Sequence, residues 1–252
     1  MDFSDGKRSA PVLYKPELDS TNMECKRLAT AGAASGTVVV ASRQSAGRGR
    51  LGRSFASPEG GLYLSMLLRA LDPPERNLSL TPGTAVAVCR AVERVCGVSC
   101  AIKWPNDLQL GGKKICGILT ESFSAAGELW LVLGVGVNVN TRAFPPELEE
   151  IAGSLWQLTG RETDMEGFAR TLIGELDRMV GGWQRDSATC LAEYRARCVT
   201  PGQDVLIWQN GGSRPARAVG IHDDFSLAVL LPDGTREDIR FGEVTLRSIP
   251  TK

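Results

Sequence analysis

The chain is poor in the residues from which metal sites, disulfide frameworks and membrane spans are built. Its 252 residues include one histidine, His222, and seven cysteines without a CxxC pair; Cys96 and Cys100 are the nearest two. Zinc-ligand spacing is therefore missing. An odd set of cysteines scattered through apolar runs such as AVCRAVERVCGVSC makes no disulfide framework either. They read as small buried hydrophobes in a reduced, cytoplasmic protein. No run approaches the ~20 apolar residues of a membrane span, and the N-terminal MDFSDGKRSAPVLYK lacks the apolar centre of a signal peptide. Net charge is absent too. With 29 basic and 29 acidic residues, the chain lacks the basic excess of a general nucleic-acid binder.

What is present is a regular succession of elements. STNMECKRLATAG predicts a helix capped by Ser20 or Thr21 and stopped near Gly32. GTVVVAS and GGLYLSMLLRA predict strands on either side of a glycine-rich loop. TPGTAVAVCRAVERVCG predicts a helix with Pro82 near its start and Gly97 at its stop. VSCAIKWPNDLQLGGKKICGILTES reads as strands joined by tight turns, with Gly111-Gly112 as a hairpin signal. ELWLVLGVGVNVN is a buried strand whose glycines let something approach its backbone. Helical patterns run from Met165 to about Arg185 and from Ser187 to about Arg197. After CVTPGQ, short strands separated by turn signals such as Asp233-Gly234 predict a compact β module. The expected architecture is α+β: a mixed sheet with helices over residues 1–199, then a small SH3-like β-barrel over 200–252.

The loop is SAGRGRLGR, with three arginines and three glycines between Ser45 and Arg53. Arginine forks suit carboxylate and phosphate, and glycine lets the backbone come close to a ligand. Gly47, Gly49 and Gly52 match G-x-G-x-x-G, but RSFASPEGG follows where a dinucleotide site needs a helix. No Walker loop is present, because LGGKKICG offers no hydroxyl after its lysines. Ordering so glycine-rich a loop costs roughly 10 kcal/mol at ~1–2 kcal/mol per residue. The loop is thus expected to order around a multiply charged ligand. Asp107 in KWPNDL and Lys114 in KKICGIL flank the Gly111-Gly112 hairpin. They could face one ligand: a carboxylate able to hold magnesium or a proton, and a lysine able to reach a phosphate.

In order and spacing, STN, GRGRLGR, KWPNDL, KKICGIL, GVGVNVN and GEVTLRS resemble the biotin protein ligases, from about Leu18 to Ser248. The resemblance implies the biotin/lipoate ligase catalytic fold followed by the β module. It also implies a two-step reaction, in which biotin and ATP give biotinyl-5′-AMP and pyrophosphate. The biotinyl group then passes to one lysine of a biotin carboxyl carrier domain of a carboxylase. Ser20, Thr21, Asn22 and Gln44 would line the biotin site, with Arg48, Gly49 and Arg50 folding over biotin and its activated carboxyl. Lys114 would contact carboxylate and α-phosphate, and the backbone of Gly117 would border the biotin tail. Arg50, Arg53, Phe55 and Asn138 would serve the nucleotide, Asn138 beside the adenine. Arg48, Lys114 and Asp107 would be the catalytic set, with Asp107 either preparing the acceptor lysine or holding Mg2+.

The physical reading agrees with these roles. Two anions must be gathered before one attacks the other, and a loop closing over a reactive acyl-adenylate would exclude water. Phe55 stands where the family often has a tryptophan, a smaller surface that bears on ATP affinity rather than chemistry. The first helix begins within ~25 residues, which leaves no room for a preceding helix-turn-helix, so DNA is not an expected partner. No membrane, zinc or disulfide is expected, and a homodimer stays open. The rival readings are a lipoate protein ligase, which would want a more apolar slot, and a biotin or nucleotide sensor without turnover. His222 reads as a surface residue, and Trp130, Trp156, Trp183 and Trp208 as packing residues. Trp104 reads as wall packing beside the site, and AFPPELEE as a solvated loop.

Overall fold

Residues Gly61–Arg69 show why this chain builds a sheet covered on both faces. Every residue but Arg69 is buried. Leu62, Leu64, Met66 and Leu68 enter a large core on one side, while Leu67 enters a smaller core on the other. A strand buried on both faces reads as a near-continuous apolar run, and GLYLSMLLR is one. The computed structural model describes residues 8–70, 77–182, 187–209, 211–240 and 243–246; Trp183, Arg185, and Gly242, Arg247 and Ser248 of GEVTLRS lie outside them.

The strands are β1 (Val12–Leu18), β2 (Val38–Gln44), β3 (Gly61–Arg69), β4 (Ala101–Lys103), β5 (Asp107–Leu110), β6 (Lys113–Ala125) and β7 (Glu128–Asn138). They form one sheet in the order β1-β2-β3-β7-β6-β5-β4. Only β1–β2 is parallel; the other pairs run antiparallel. Helix α1 (Thr21–Thr30) lies on one face, placing Cys25 and Ala29 against Val39, Leu67 and Val132. Helix α2 (Leu80–Cys96) covers the other face. It is followed by α3 (Leu155–Thr159), α4 (Met165–Gly182) and α5 (Ser187–Arg197), and α4 and α5 both pack on α2. Gly97 ends α2 in the left-handed conformation, φ 69°, that its sequence position predicts.

A second sheet follows, of β8 (Asp204–Gln209), β9 (Gly212–Ile221), β10 (Leu227–Leu230), β11 (Arg236–Ile239) and β12 (Glu243–Leu246). Its order is β11-β10-β9-β8-β12, all antiparallel, as expected of the C-terminal turn-rich stretch. It is tied to the first sheet beside KWPND, where the Trp104 indole donates to the Phe225 carbonyl (2.9 Å). The Arg195 guanidinium donates to the Ile221 carbonyl (2.7 and 2.9 Å). Trp104 is thus a wall residue.

Some elements carried no usable signal. β1 contains Pro16, which a strand tolerates only at an edge, and β1 is the edge. The five residues of α3 are too few for a periodic pattern, although Ser154 and Gln157 form its capping box. Trp130 is buried and Trp156 stacks under Arg142 at 3.8 Å. Trp208 corrects the packing expectation: it is 41% exposed, because alternation along β8 gives the inward positions to Val205 and Ile207. His222 sits at the surface, 2.8 Å from Asp238 Oδ1. All seven cysteines are free and buried or half-buried. Among the described residues no helix is long and apolar enough to cross a membrane.

The α2–α5 contact is held by charge. Arg197 donates to both oxygens of Glu93 (2.7 and 2.9 Å). That pairing, with Ser99, holds the Glu93 carboxyl at about 2 instead of 4.5. A carboxyl depressed in the folded state contributes stability above its unfolded pKa and loses it as pH falls through the folded one. Glu93→Gln should therefore lower the melting temperature near neutral pH by roughly 2–4 °C, for about 1 kcal/mol. The difference from the unsubstituted protein should close as pH falls from 4.5 towards 2, a trend that melts across a pH series will follow.

Candidate functional site

Register puts the site on the α1 face of the sheet. Ser65 of β3 pairs with Gly134 and Tyr63 with Gly136. Across β7, Gly117, Leu119 and Glu121 of β6 pair with Gly136, Gly134 and Val132. Side chains of paired residues share a face, so Gly117, Gly134 and Gly136 form a floor without side chains. Two groups fill the space that this leaves. A Cβ at Gly134 would overlap the Asn22 side-chain amide; at Gly136 and Gly117 it would fall 2.5 and 2.8 Å from the Phe55 ring. Gly134 and Gly136 are the glycines of GVGVNVN for which the sequence predicts a close approach, and Gly117 is the one that the family resemblance puts at the ligand's border.

Above the floor lies a cleft of about 870 Å3. Its lining includes Ser20, Thr21, Asn22, Gln44, Arg48, Gly49, Arg50, Arg53, Phe55, Asp107, Lys114 and Gly117, so one concavity gathers nearly all of the expected residues. Asn138 is the exception. It is 5% exposed and donates to the carbonyls of Gly153 (3.0 Å) and Lys114 (3.4 Å), behind the cleft rather than in it.

Each segment arrives for a local reason. Ser20 occupies the N-cap position of α1 in extended conformation but makes no side-chain cap bond. The arginine loop folds as a small hairpin, with the Phe55 N–H donating to Gly47 O (2.9 Å) and the Gly49 N–H to Arg53 O (2.8 Å). Its tip is a tight turn, Arg50–Gly52, with Leu51 at φ 55°. These internal bonds offset part of the entropic cost of ordering the loop. Arg50 crosses to Asn106 Oδ1 (3.1 Å), and Asn106 itself donates to the Ile118 carbonyl (2.8 Å). The loop is thereby tied to the turn of KWPND, where the Trp104–Pro105 peptide is cis.

The cleft has a charged end and a neutral one. Gly111 and Gly112 turn β5 into β6 with φ of 57° and 79°. Asp107 and Lys114 meet across this hairpin, Oδ1 to Nζ 2.7 Å. Arg48, Arg50, Arg53 and Lys103 also line the cleft, where Asp107 is the one carboxylate among the described residues. Such an excess of cations suits a ligand carrying several negative charges.

The neutral end is a hydrogen-bonded chain. Gln44 Oε1 accepts from the Thr21 N–H (2.8 Å) and lies 3.1 Å from Thr21 Oγ1; Gln44 Nε2 donates to Ser57 Oγ (2.9 Å). Ser65 Oγ lies between Thr21 Oγ1 (2.7 Å) and Asn22 Oδ1 (2.6 Å). Asn22 Nδ2 donates to Glu121 Oε2 and Lys26 Nζ to Oε1, both 2.8 Å. Burial pushes the Glu121 carboxyl up. The bonds from Lys26 and Asn22, with the Lys26 and Arg48 charges, outweigh burial and hold the carboxyl below its ordinary range. Ser57, Ser65, Asn106 and Glu121 escape sequence reasoning. The only signals are a lone serine inside GLYLSMLLR and a lone acid late in KKICGILTE, neither specific without the register.

Residues 15–138 match the model of the biotin/lipoate A/B protein ligase family. The biotin–[acetyl-CoA-carboxylase] ligase of Paracoccus denitrificans is 40% identical over 90% of this chain and 96% of its own length. The chain belongs to the biotin protein ligase family. The bifunctional ligase/repressor BirA of Bacillus subtilis is also 40% identical, over 92% of this chain and 74% of its own. Among solved structures, the Aquifex aeolicus biotin protein ligase in complex with biotin and ATP superposes with a TM-score of 0.80. That match is 29% identical and covers 94% of this chain and 98% of that one. The mixed sheet, its helices and the second small sheet of this ligase match that fold.

The glycine floor gives a direct structural expectation. Gly134→Ala forces a Cβ into the Asn22 amide, and overpacking of this kind costs about 1–3 kcal/mol. Chemical denaturation should show that loss, whereas Gly127→Ala, which meets no neighbour but sits at φ 79°, should cost only what its backbone strain imposes, about 1 kcal/mol.

Proposed function

We propose that this ligase activates biotin with ATP and transfers the biotinyl group to a lysine of a biotin carboxyl carrier domain, using the cleft above the glycine floor. The observation that carries this reading is the division of one cleft into a cationic end and a neutral hydrogen-bonding end. Biotin has the matching asymmetry: a neutral ureido ring with donors and an acceptor, and a carboxylate tail. In the first step a biotin carboxylate oxygen attacks the α-phosphorus of ATP, and the α–β anhydride bond breaks to release pyrophosphate. In the second, the carrier lysine nitrogen attacks the acyl carbon, forms the amide and releases AMP.

Lys114 and Arg48 bring the two anions together and stabilise the charge that develops at phosphorus. Lys114 must leave Asp107 to do so, which frees that carboxylate for the second step. Asp107 then orients the acceptor lysine or takes its proton. Arg50 and Arg53 neutralise the remaining phosphates, and the hairpin tip shields the adenylate from water. Gly49 and Gly117 border the ligand with backbone alone. Phe55 stacks near the nucleotide, and adenine reaches Asn138 only if that amide gives up a carbonyl. Magnesium accompanies ATP. One carboxylate beside substrate phosphates fits an ion that keeps much of its water shell, and Asp107 would be that ligand.

In this reading residues 1–199 form the catalytic unit and 200–252 a β module that closes the nucleotide end, with Val244 in the cleft lining. The setting is cytoplasmic, the acceptor belongs to a carboxylase, and neither DNA nor a membrane takes part. A homodimer is compatible with it.

Mass spectrometry of products from ATP, Mg2+ and an equal mixture of biotin and lipoate tests the proposal. Biotinyl-AMP is expected, falling about 100-fold or more in Lys114→Ala. Lipoyl-AMP as the main product would move the chain to the lipoate branch of the family. Biotin binding without any adenylate would make it a sensor and remove the roles given to Lys114 and Arg48.

A further inference from the structure

Strand register draws one row of residues across the site face, and the row ends on a lysine, Lys103. We propose that Lys103 is a further catalytic residue, whose ammonium holds the β- and γ-phosphates of ATP and takes up the charge of the departing pyrophosphate. This deepens the functional reading and rests on it: the cleft must be where biotin meets ATP.

Tyr63 pairs with Gly136, Gly136 with Gly117, Gly117 with Asp107, and Asp107 with Lys103. Paired residues share a face, so these five stand side by side, one each on β3, β7, β6, β5 and β4. Ile102 and Leu108, their neighbours in β4 and β5, point the other way into the large core. Lys103 is half-buried in the cleft wall. At about 4.8 Å per strand, its Cα lies roughly 10 Å from that of Gly117. Lys114 Nζ overhangs Gly117, 3.4 Å from where a Cβ would stand, and donates to Asp107. The order along the row is thus glycine floor, Lys114, Asp107, Lys103.

The reaction imposes an order of its own. The neutral end of the cleft adjoins Gly134, which Asn22 contacts and Ser65 pairs with. A ligand with its ring at that end brings its carboxylate to Lys114 from the glycine side. Displacement at phosphorus sets the attacking and leaving oxygens roughly in line. The departing group must then lie beyond the phosphorus, away from the floor, where the row reaches Lys103. As the α–β anhydride bond breaks, its electron pair stays on the bridging oxygen of pyrophosphate, and a cation there stabilises the charge as it forms. Lys103 is available for this. Asp107 stands opposite it in the register yet bonds Lys114 instead, and among the described residues Lys103 makes no side-chain hydrogen bond or ion pair. A half-buried ammonium without a counter-charge is costly unless an anion comes to it. Lysine suits the task, because a point charge on a flexible stem can follow a leaving group as it moves away.

Lys103→Gln separates the two steps of the reaction. Formation of biotinyl-AMP from biotin and ATP should fall about 100-fold, with a raised KM for ATP. The reverse reaction, in which pyrophosphate and biotinyl-AMP regenerate ATP and biotin, crosses the same transition state and should fall in the same proportion. Transfer from supplied biotinyl-AMP to a biotin carboxyl carrier domain involves no pyrophosphate and should stay unchanged, as should the Kd for biotin. Calorimetric titration with inorganic pyrophosphate and Mg2+ should show binding about tenfold weaker than in the unsubstituted protein, the equivalent of one lost charge-assisted hydrogen bond. Lys103→Arg, which keeps the charge, should recover part of both losses. Lys103→Met, equally neutral, is read in the same way should Lys103→Gln fail to fold. Unchanged adenylate formation in the neutral variants would overturn the proposal. So would an equal loss of transfer from biotinyl-AMP, which would give Lys103 to the adenylate or to the acceptor lysine. If the unsubstituted protein makes no adenylate, the functional reading falls and this one with it, a result distinct from turnover that is indifferent to Lys103.

Discussion

Side chains from α1 and from the arginine loop reach the sheet only because Gly117, Gly134 and Gly136 offer no Cβ to stop them. Everything else about the cleft depends on that close approach. Asn22 rests against Gly134, and the Phe55 ring rests against Gly117 and Gly136, edge-on to Tyr63 at 6.5 Å. The floor thus sets how deep the cleft is and where its two ends lie. It also explains why polar groups can sit inside a sheet otherwise packed on both faces. Ser65 occupies a position where an apolar residue would complete the core, and its hydroxyl is satisfied only because Thr21 and Asn22 are near enough to bond it.

The electrostatic design follows from the same geometry. Cations crowd one end of the cleft, and some have partners there: Lys114 is held by Asp107 and Arg50 by Asn106. Such partners keep the groups in place at little cost, because a phosphate or carboxylate is a stronger acceptor for Arg50 than an amide oxygen. At the other end the paired charges of Lys26 and Glu121 are set back behind Asn22. A charge pair in that position does not compete for a neutral ring, yet it polarises the groups that touch it. One concavity thereby holds a cationic end and a neutral hydrogen-bonding end, the division on which the proposed function rests.

The motifs of the site were legible because each is local. A hairpin dipeptide, a serine at a helix start, clustered arginines and glycines spaced along a strand speak through near neighbours in the chain. Gly111-Gly112, Ser20, the arginine loop and GVGVN all gave their positions this way. Trp208 misled because aromatic character indicates burial only once the inward face of its strand is known. Asn138 stands in the expected motif, yet its amide is spent on the carbonyls of Gly153 and Lys114, partners that no spacing rule names.

From the sequence alone came the two-part α+β architecture, the cluster of arginines in one glycine-rich loop, the placing of Asp107 and Lys114 on either side of one turn, and the resemblance to a ligase family. Tertiary structure decided which groups meet across strands. Glu121 lies 99 residues from Asn22 and Ser65 43 residues from it, and Asn106 lies 56 from Arg50. Contacts of that separation are set by strand register and by the seating of α1 on the sheet. A one-residue slip in register would move Ser65 or Glu121 to the opposite face, so only the folded sheet could bring them to Asn22.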